Sequence, residues 1–147
     1  MQLEQRGPFS REQIDHHLRE AVIPLRLACV APDGAPLVLS LWYLWRDGAF
    51  WCATSPRAHV VKLLRDEPRC GFEVAGDAPP YRGVRGQGRA DLVPEIGGSI
   101  LEALVDRYVG TRESLFARRL LSRRNDEMAI QISPTNISSW DFARRMS

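Results

Sequence analysis

Short apolar segments separated by turn residues fill the stretch from Leu25 to Thr54. They read LRLACVA, PLVLSLWYLW and AFWCAT, and the dipeptide Asp-Gly lies in both intervening turns. Asp-Gly between two apolar segments is typical of hairpins, because both residues tolerate a positive φ. The pattern therefore predicts a three-stranded antiparallel meander over this stretch.

Three further strands are predicted in the second half of the chain. CGFEVA and YRGVRGQGRADLV, joined by GDAPP, form a second antiparallel pair, and EMAIQI alternates as a half-buried strand does. Glycines inside a strand indicate either a sharply coiled barrel strand or the close approach of a flat ligand, and the sequence leaves both readings open. The small apolar face of the glycine-rich strand consists of Val84, Gly86, Gly88, Ala90 and Leu92.

Four segments carry helix signals. Ser10 and Gln13 form a capping box before REQIDHHLREA, and PEIGGSILEALVDRYVG and RESLFARRLLSRRN are the two later helices. In TSPRAHVVKLLRDEP, Ser55 is the predicted N-cap, Pro56 is the first helical residue, and the helix ends before Pro68. Six strands with flanking helices predict a mainly β protein, an antiparallel barrel in one domain over residues 1–147, with a sandwich as the alternative.

Composition removes several classes of protein. The net charge is +2, and no apolar run approaches the roughly 20 residues of a membrane-spanning helix. The polar start MQLEQRGPFSREQ predicts a cytoplasmic protein, and the strands lack the interleaved aromatic and basic residues of a nucleic-acid-binding barrel. Cys29, Cys52 and Cys70 lie in apolar segments, where we expect free thiols packed in the core and neither metal ligands nor disulfides.

The start of the helix after Thr54 is the first candidate site. A helix N-terminus presents unpaired N–H groups and the positive end of the helix dipole, and Arg57, His59, Lys62 and Arg65 follow closely. These residues predict a site for a phosphate. The alternative is an ordinary capped helix whose cations form a solvated face.

Other catalytic chemistry has no support in the sequence. The patterns H-E-x-x-H, G-x-S-x-G, P-loop and Cys-His are absent, and the glycine spacing of RGVRGQG differs from a dinucleotide fingerprint. His16 and His17 are adjacent on the first helix, which is poor geometry for joint metal ligation. We therefore expect no metal site.

Four segments, taken in order, resemble the FMN-binding split-barrel family, the pyridoxamine 5′-phosphate oxidase-like proteins, which include flavin and deazaflavin-dependent reductases. They are GAPLVLSLWYLWRDGAFWCATSP, RAHVVKLLRDEPRCGFEV, YRGVRGQGRADLV and ISPTNISSWDF, within a match from about Leu25 to Phe142. The resemblance implies a six-stranded antiparallel split β-barrel with flanking helices. It also implies a homodimer with two flavin sites at the subunit interface.

The resemblance further implies which residues bind the cofactor. Similar positions in the family lie along the isoalloxazine ring, at the end of the third strand, before the glycine-rich strand and at a late tryptophan. The matching residues are Val38, Leu39, Ser40, Leu41, Thr54, Arg82, Gly83 and Trp140.

The family's phosphate cluster reads Ser, a basic residue and Lys, and this chain departs from it. The matching positions are Ala58, His59 and Val60, so only His59 keeps a chargeable side chain. We expect Arg57 or Lys62, beside Ser55, to supply the missing contacts.

These features predict an FMN-dependent oxidoreductase acting on a small organic substrate. No catalytic residue is assigned, because the cofactor carries the chemistry of hydride transfer. One alternative is a deazaflavin coenzyme-dependent reductase, whose acidic cofactor tail would use the cations near Arg57, Lys62 and Arg65. The other is a flavin-binding carrier or sensor barrel without turnover.

Overall fold

The computed structural model describes residues 3–147 and shows a mainly β protein with four α-helices, as predicted. The strands are β1 (Glu4–Arg6), β2 (Leu25–Val30), β3 (Pro36–Leu41), β4 (Leu44–Arg46), β5 (Ala49–Thr54), β6 (Arg69–Ala75), β7 (Arg82–Val93) and β8 (Met128–Asp141). The helices are α1 (Arg11–Glu20), α2 (His59–Asp66), α3 (Gly97–Tyr108) and α4 (Leu115–Leu121).

The strands form one curled sheet in the order β3-β2-β6-β7-β8-β5-β4, with β1 added in parallel to β8. Both predicted hairpins are confirmed: β2 pairs with β3, and β4 pairs with β5 across Asp47 and Gly48, which have positive φ. The predicted three-stranded meander is wrong, because β3 and β5 are not neighbours. β5 pairs with β8 instead, and β2 takes β6 as its second neighbour.

The segment PLVLSLWYLW, predicted as one strand, is divided into β3 and β4 at Trp42 and Tyr43. Tyr43 is buried, and the single proton of its hydroxyl is shared between the carbonyls of Leu18 (2.7 Å) and Ala21 (2.9 Å). The Tyr43 N–H donates to the Tyr108 hydroxyl at 3.2 Å instead of to a neighbouring strand. This division and the additional β1 raise the count from six predicted strands to eight.

β7 and β8 are the longest strands, and the close contact between them explains Gly86 and Gly88. Their register shifts between Gln87 and Gly88. A Cβ added to Gly86 would lie 2.1 Å from the Asn136 carbonyl oxygen, closer than real Cβ atoms approach. The glycines therefore mark a sharply coiled barrel strand, one of the two predicted readings. The curled sheet forms the half-barrel of a split-barrel fold, which confirms the predicted fold class.

The inner face of the half-barrel encloses the main hydrophobic core. α1 begins at the predicted capping box of Ser10 and Gln13 and buries Ile14 and Leu18 against the sheet. The three cysteines lie in this core as free thiols, as predicted. Within residues 3–147, no helix is long and apolar enough to cross a bilayer.

α2 begins about one turn later than the sequence predicted. Its N-cap is Ala58, which makes no side-chain hydrogen bond to the helix, and its first residue is His59. The hydroxyl of the predicted N-cap, Ser55, instead accepts a hydrogen bond from the Arg57 N–H at 3.2 Å. This local turn uses the group that would have capped the helix. The end of α2 before Pro68 is confirmed.

Candidate functional site

The outer face of the sheet is covered on one half and open on the other. α3 covers the β4–β5 half, where Ile100 and Leu104 pack with Leu44, Trp51 and Ala53. On the β3–β2–β6–β7 half most outward side chains are exposed to solvent. This second half is called the open face, and its outward residues include Val38, Ser40, Arg26, Ala28, Gly71, Glu73, Arg85, Gln87 and Arg89.

A trough runs along the open face. Two clefts of about 620 Å³ and 720 Å³ are both lined by Ala28, Gly71 and Gln87. Because Ala28 and Gly71 have little or no side chain, a ligand or partner can approach the backbone of β2 and β6 closely. The volume of each cleft lies within the range of about 300–1,000 Å³ that is typical of small-molecule binding sites. The trough therefore suits a flat group.

Arginine side chains border the trough on both sides. On one side the strand register places Arg26 opposite Glu73, and Glu73 opposite Arg85. On the other side Arg69 lies opposite Arg89. Among the described residues Arg26, Arg85 and Arg89 form no ion pair. The trough therefore carries positive charge that can attract an anionic group.

Two of these arginines contact predicted cofactor residues. Arg26 Nη1 donates a hydrogen bond to Ser40 Oγ at 2.6 Å. The Arg85 guanidinium lies 5.0 Å from the centre of the Trp140 ring, a separation at which a cation and an indole attract each other. The structure thus connects Ser40 and Trp140 to two arginines that the sequence analysis did not select.

β3 carries four predicted cofactor residues and is an edge strand. It pairs with β2 on one side, and within the described part of the chain no strand pairs with its other side. Val38 is 66% exposed and Ser40 is exposed, whereas Leu39 and Leu41 pack against the core. Unpaired N–H and C=O groups of an edge strand can hydrogen-bond a ligand. Leu39 and Leu41 would therefore act through their backbone alone.

The predicted phosphate residues gather around the start of α2. Arg57 Nη2 donates a hydrogen bond to Asp126 Oδ2 at 2.9 Å, and both side chains are exposed. This ion pair competes with any anion for Arg57. Thr54 and Ser55 are half-buried here, and His59 and Lys62 are exposed.

The predicted residues form two groups at opposite ends of the sheet. β8 extends beyond the predicted EMAIQI, so that Trp140 pairs with Gly83 and Asp141 with Arg82. β2, β7 and β5 run in the same direction, because β6 or β8 lies antiparallel between them. Leu41 pairs with the first residue of β2 and therefore lies at the same end of the sheet as the start of β7. The end of β5 lies at the opposite end of the sheet. One subunit does not bring the two groups together.

Glu127 is a buried acid that the sequence analysis missed. It is 6% exposed and precedes Met128, which pairs with Thr54. Its Oε1 has no hydrogen-bond partner among the described residues, and burial raises the pKa of this carboxyl. A Cβ on Gly97 would lie 1.9 Å from the Glu127 carbonyl oxygen, so α3 begins directly against this residue. The only signal for this buried acid in the sequence is weak, because it is a single acidic residue directly before a strand of alternating pattern.

A flavin or deazaflavin ring fits the open face better than a phosphate fits the start of α2. The Ala28 and Gly71 floor and the free edge of β3 offer a flat surface and hydrogen-bonding groups. At the position of the family's lysine, Val60 is 5% exposed and packs in the core, so it does not contact a phosphate. His59, Lys62 and Arg65 remain as the exposed basic side chains for an anionic group.

Comparisons with known proteins agree with this architecture. A conserved hypothetical protein from Mycobacterium tuberculosis is 27% identical, with a TM-score of 0.78, over 91% of this chain and 86% of that chain. An F420 reductase is 26% identical, with a TM-score of 0.70, over 82% of this chain and 93% of that chain. A FAD-binding protein from Mesorhizobium loti shares the fold at 21% identity and a TM-score of 0.63, over 89% and 93% of the two chains.

No curated protein matches the chain. The family model for pyridoxamine 5′-phosphate oxidase, however, matches residues 13–141, which is most of the chain. The match extends from within α1 through β2 to the end of β8. The chain therefore belongs to the pyridoxamine 5′-phosphate oxidase family.

Proposed function

We propose that this protein is a homodimeric oxidoreductase that binds a flavin-type cofactor between two copies of the open face and acts on a small organic substrate. The single observation that carries the proposal is the open face itself, a small-residue trough with unpaired arginines beside a free strand edge. When bound, such a cofactor supplies two-electron transfer to or from the substrate.

The separation of the two predicted groups supports a dimer. Trp140 and Thr54 lie near opposite ends of the sheet, so one subunit holds only half of a site. A second copy related by twofold symmetry can present its start of α2 beside the first copy's β3 and Trp140. Each interface would then hold two equivalent sites. The exposed Val38 side chain would become buried between the subunits.

The residues of this chain have separate tasks in the proposal. The free edge of β3, along Val38 to Leu41, orients the ring through backbone hydrogen bonds. Arg26 and Arg85 would hold a negatively charged group of the cofactor or substrate. Covering the trough with a second copy excludes water, which strengthens those electrostatic interactions.

FMN is the first candidate cofactor, and a deazaflavin coenzyme is the second. The buried Val60 and the Arg57–Asp126 ion pair weaken the site for a compact phosphate. The deazaflavin coenzyme has a longer acidic tail, which exposed His59 and Lys62 could contact. The 26% identity to an F420 reductase favours this second candidate.

Cofactor titration in a thermal unfolding assay tests the proposal. A ligand at about 100 times its Kd stabilises the native state by about 2.7 kcal/mol, a rise of several degrees in Tm. We expect this rise with FMN or with the deazaflavin coenzyme, and the larger rise identifies the cofactor. If neither FMN nor the deazaflavin coenzyme raises the Tm, the result contradicts the proposal. Binding without reduction or oxidation of any substrate supports the carrier or sensor function instead.

Lys62 offers a direct probe of the anion site, because it is the only lysine in the chain. The primary amines that an acetylating reagent can modify are therefore Lys62 and the N-terminus. We expect saturating cofactor to protect Lys62 several-fold and to leave the N-terminus unprotected, as an internal control. Equal protection of both amines, or of neither, removes Lys62 from the site.

A further inference from the structure

Cys29 and Cys70 occupy opposing positions on neighbouring strands. The paired register of β2 and β6 ends with Ala28 opposite Gly71. One residue further along each antiparallel strand, Cys29 lies opposite Cys70. Both cysteines are buried, at the inward positions of their strands' alternation. The two thiols therefore point to the same side of the sheet.

The spacing of opposed residues suits a disulfide. Directly opposed residues on antiparallel strands have Cα atoms about 4.5 or 5.5 Å apart, depending on whether the pair is hydrogen-bonded. A disulfide requires a Cα separation of about 4.4–6.8 Å, which includes both values. The pair lies one residue beyond the last paired residues of this ladder, Ala28 and Gly71.

The pair lies beneath the trough. Cys29 and Cys70 both line the larger cleft, beside Arg69 and Arg89. Burial, with a smaller contribution from the nearby Cys29 thiol, raises the pKa of Cys70 to about 12. The reactive thiolate is therefore scarce at neutral pH, and oxidation of the pair is slow.

We propose that Cys29 and Cys70 form a reversible disulfide that fastens β2 to β6 beneath the trough. Hydrogen peroxide or the diazene diamide accepts two electrons and two protons as the two S–H bonds break and the S–S bond forms, giving water or the hydrazine. A dithiol reductant reverses the step by thiol–disulfide exchange. The disulfide holds the trough floor at the point where backbone pairing ends, and it needs no cofactor.

Peptide mapping tests the proposal on the full chain. The native protein is oxidised with diamide, denatured, alkylated with iodoacetamide and digested with trypsin without reduction. Cys29, Cys52 and Cys70 fall in separate tryptic peptides, residues 27–46, 47–57 and 70–82. We expect residues 27–46 and 70–82 as one linked species, about 2 mass units lighter than the sum of the reduced peptides, and its loss with dithiothreitol.

Cys52 provides the matched control. It is a buried thiol on β5 opposite Ile130, on neither β2 nor β6. Cys52→Ser should keep the linked species, whereas Cys29→Ser and Cys70→Ser should lose it. Oxidation should also raise the Tm of the wild-type chain by about 5 °C. Complete alkylation of all three cysteines after oxidation, or a link that contains Cys52, overturns the proposal, and the wild-type map decides this even if a variant fails to fold.

Discussion

The two halves of the outer sheet face differ in what covers them. On the β4–β5 half, Leu44, Trp51 and Ala53 are apolar, and α3 packs on them with Ile100 and Leu104. The open face carries arginines, a glutamate and small residues on the same side of the same sheet. The chain therefore covers one half with its own helix and leaves the other half exposed in the single subunit.

The charge pattern indicates what the open face accepts. Burying an arginine without a negatively charged partner destabilises a protein, because the lost hydration of the guanidinium is not replaced. A partner that covers these arginines must therefore either bring negative charge or leave them in contact with water at the edge of the interface. A flat anionic cofactor bound between two copies would bring the negative charge. The covered half has no such requirement, because its contacts are apolar.

The largest expected effect comes from the glycine that allows the sheet to curl. In Gly86→Val the new Cβ would meet the Asn136 carbonyl oxygen and the Phe72 ring, at 2.1 Å and 2.8 Å before any relaxation. We expect a loss of about 3 kcal/mol or more in the free energy of unfolding, because backbone has to move. Urea denaturation measures it. Gly76→Val is the control, since nothing lies within 4 Å of a Cβ there; equal losses in both variants would contradict this account of the curl.

A pair of truncations compares the two halves directly. Leu104→Ala truncates a side chain of α3 that is 2% exposed. We expect it to lower the free energy of unfolding by about 2.5 kcal/mol. Val38→Ala on the open face should cost less than about 0.5 kcal/mol in the isolated subunit, because Val38 is 66% exposed. Denaturation at low protein concentration checks both values. A large loss in the free energy of unfolding for Val38→Ala in the monomer would mean that Val38 is buried within one subunit and that this face is not exposed.

Local signals in the sequence predicted local structure well. The Asp47-Gly48 hairpin and the Ser10 capping box were correct, because each depends on a few consecutive residues. The meander failed because the pairing of β5 with β8 joins distant segments, which periodicity does not reveal. The N-cap at Ser55 failed because its hydroxyl found the Arg57 N–H instead.

The candidate site was predicted only in part, for a similar reason. The family resemblance supplied Ser40 and Trp140, but the alignment of Arg26, Glu73 and Arg85 across three strands depends on register. Register between β2 and β6 is set by the folded sheet and not by either segment alone. The alternation of the glycine-rich strand was the one available signal, because a small apolar face that includes Val84 and Gly86 leaves Arg85 on the opposite face.

A smaller effect is expected from the acid beneath the covered half. Burial raises the pKa of Glu127 in the folded state, so its contribution to stability is present below the unfolded pKa and is lost as pH rises through the folded pKa. Glu127→Gln should therefore stabilise the protein more at pH 8 than at pH 4. Thermal unfolding across this pH range measures the difference. A Glu127→Gln effect that is constant with pH would contradict the assignment.

The molar mass of the protein in solution tests the central claim, that the open face is where two copies meet. Light scattering after size-exclusion chromatography should give twice 16.6 kDa for the wild-type chain. Val38→Asp places a charge at the centre of the proposed interface and should give 16.6 kDa, while the subunit remains folded by circular dichroism. A monomeric wild-type chain, or a dimer that Val38→Asp leaves intact, would contradict the account.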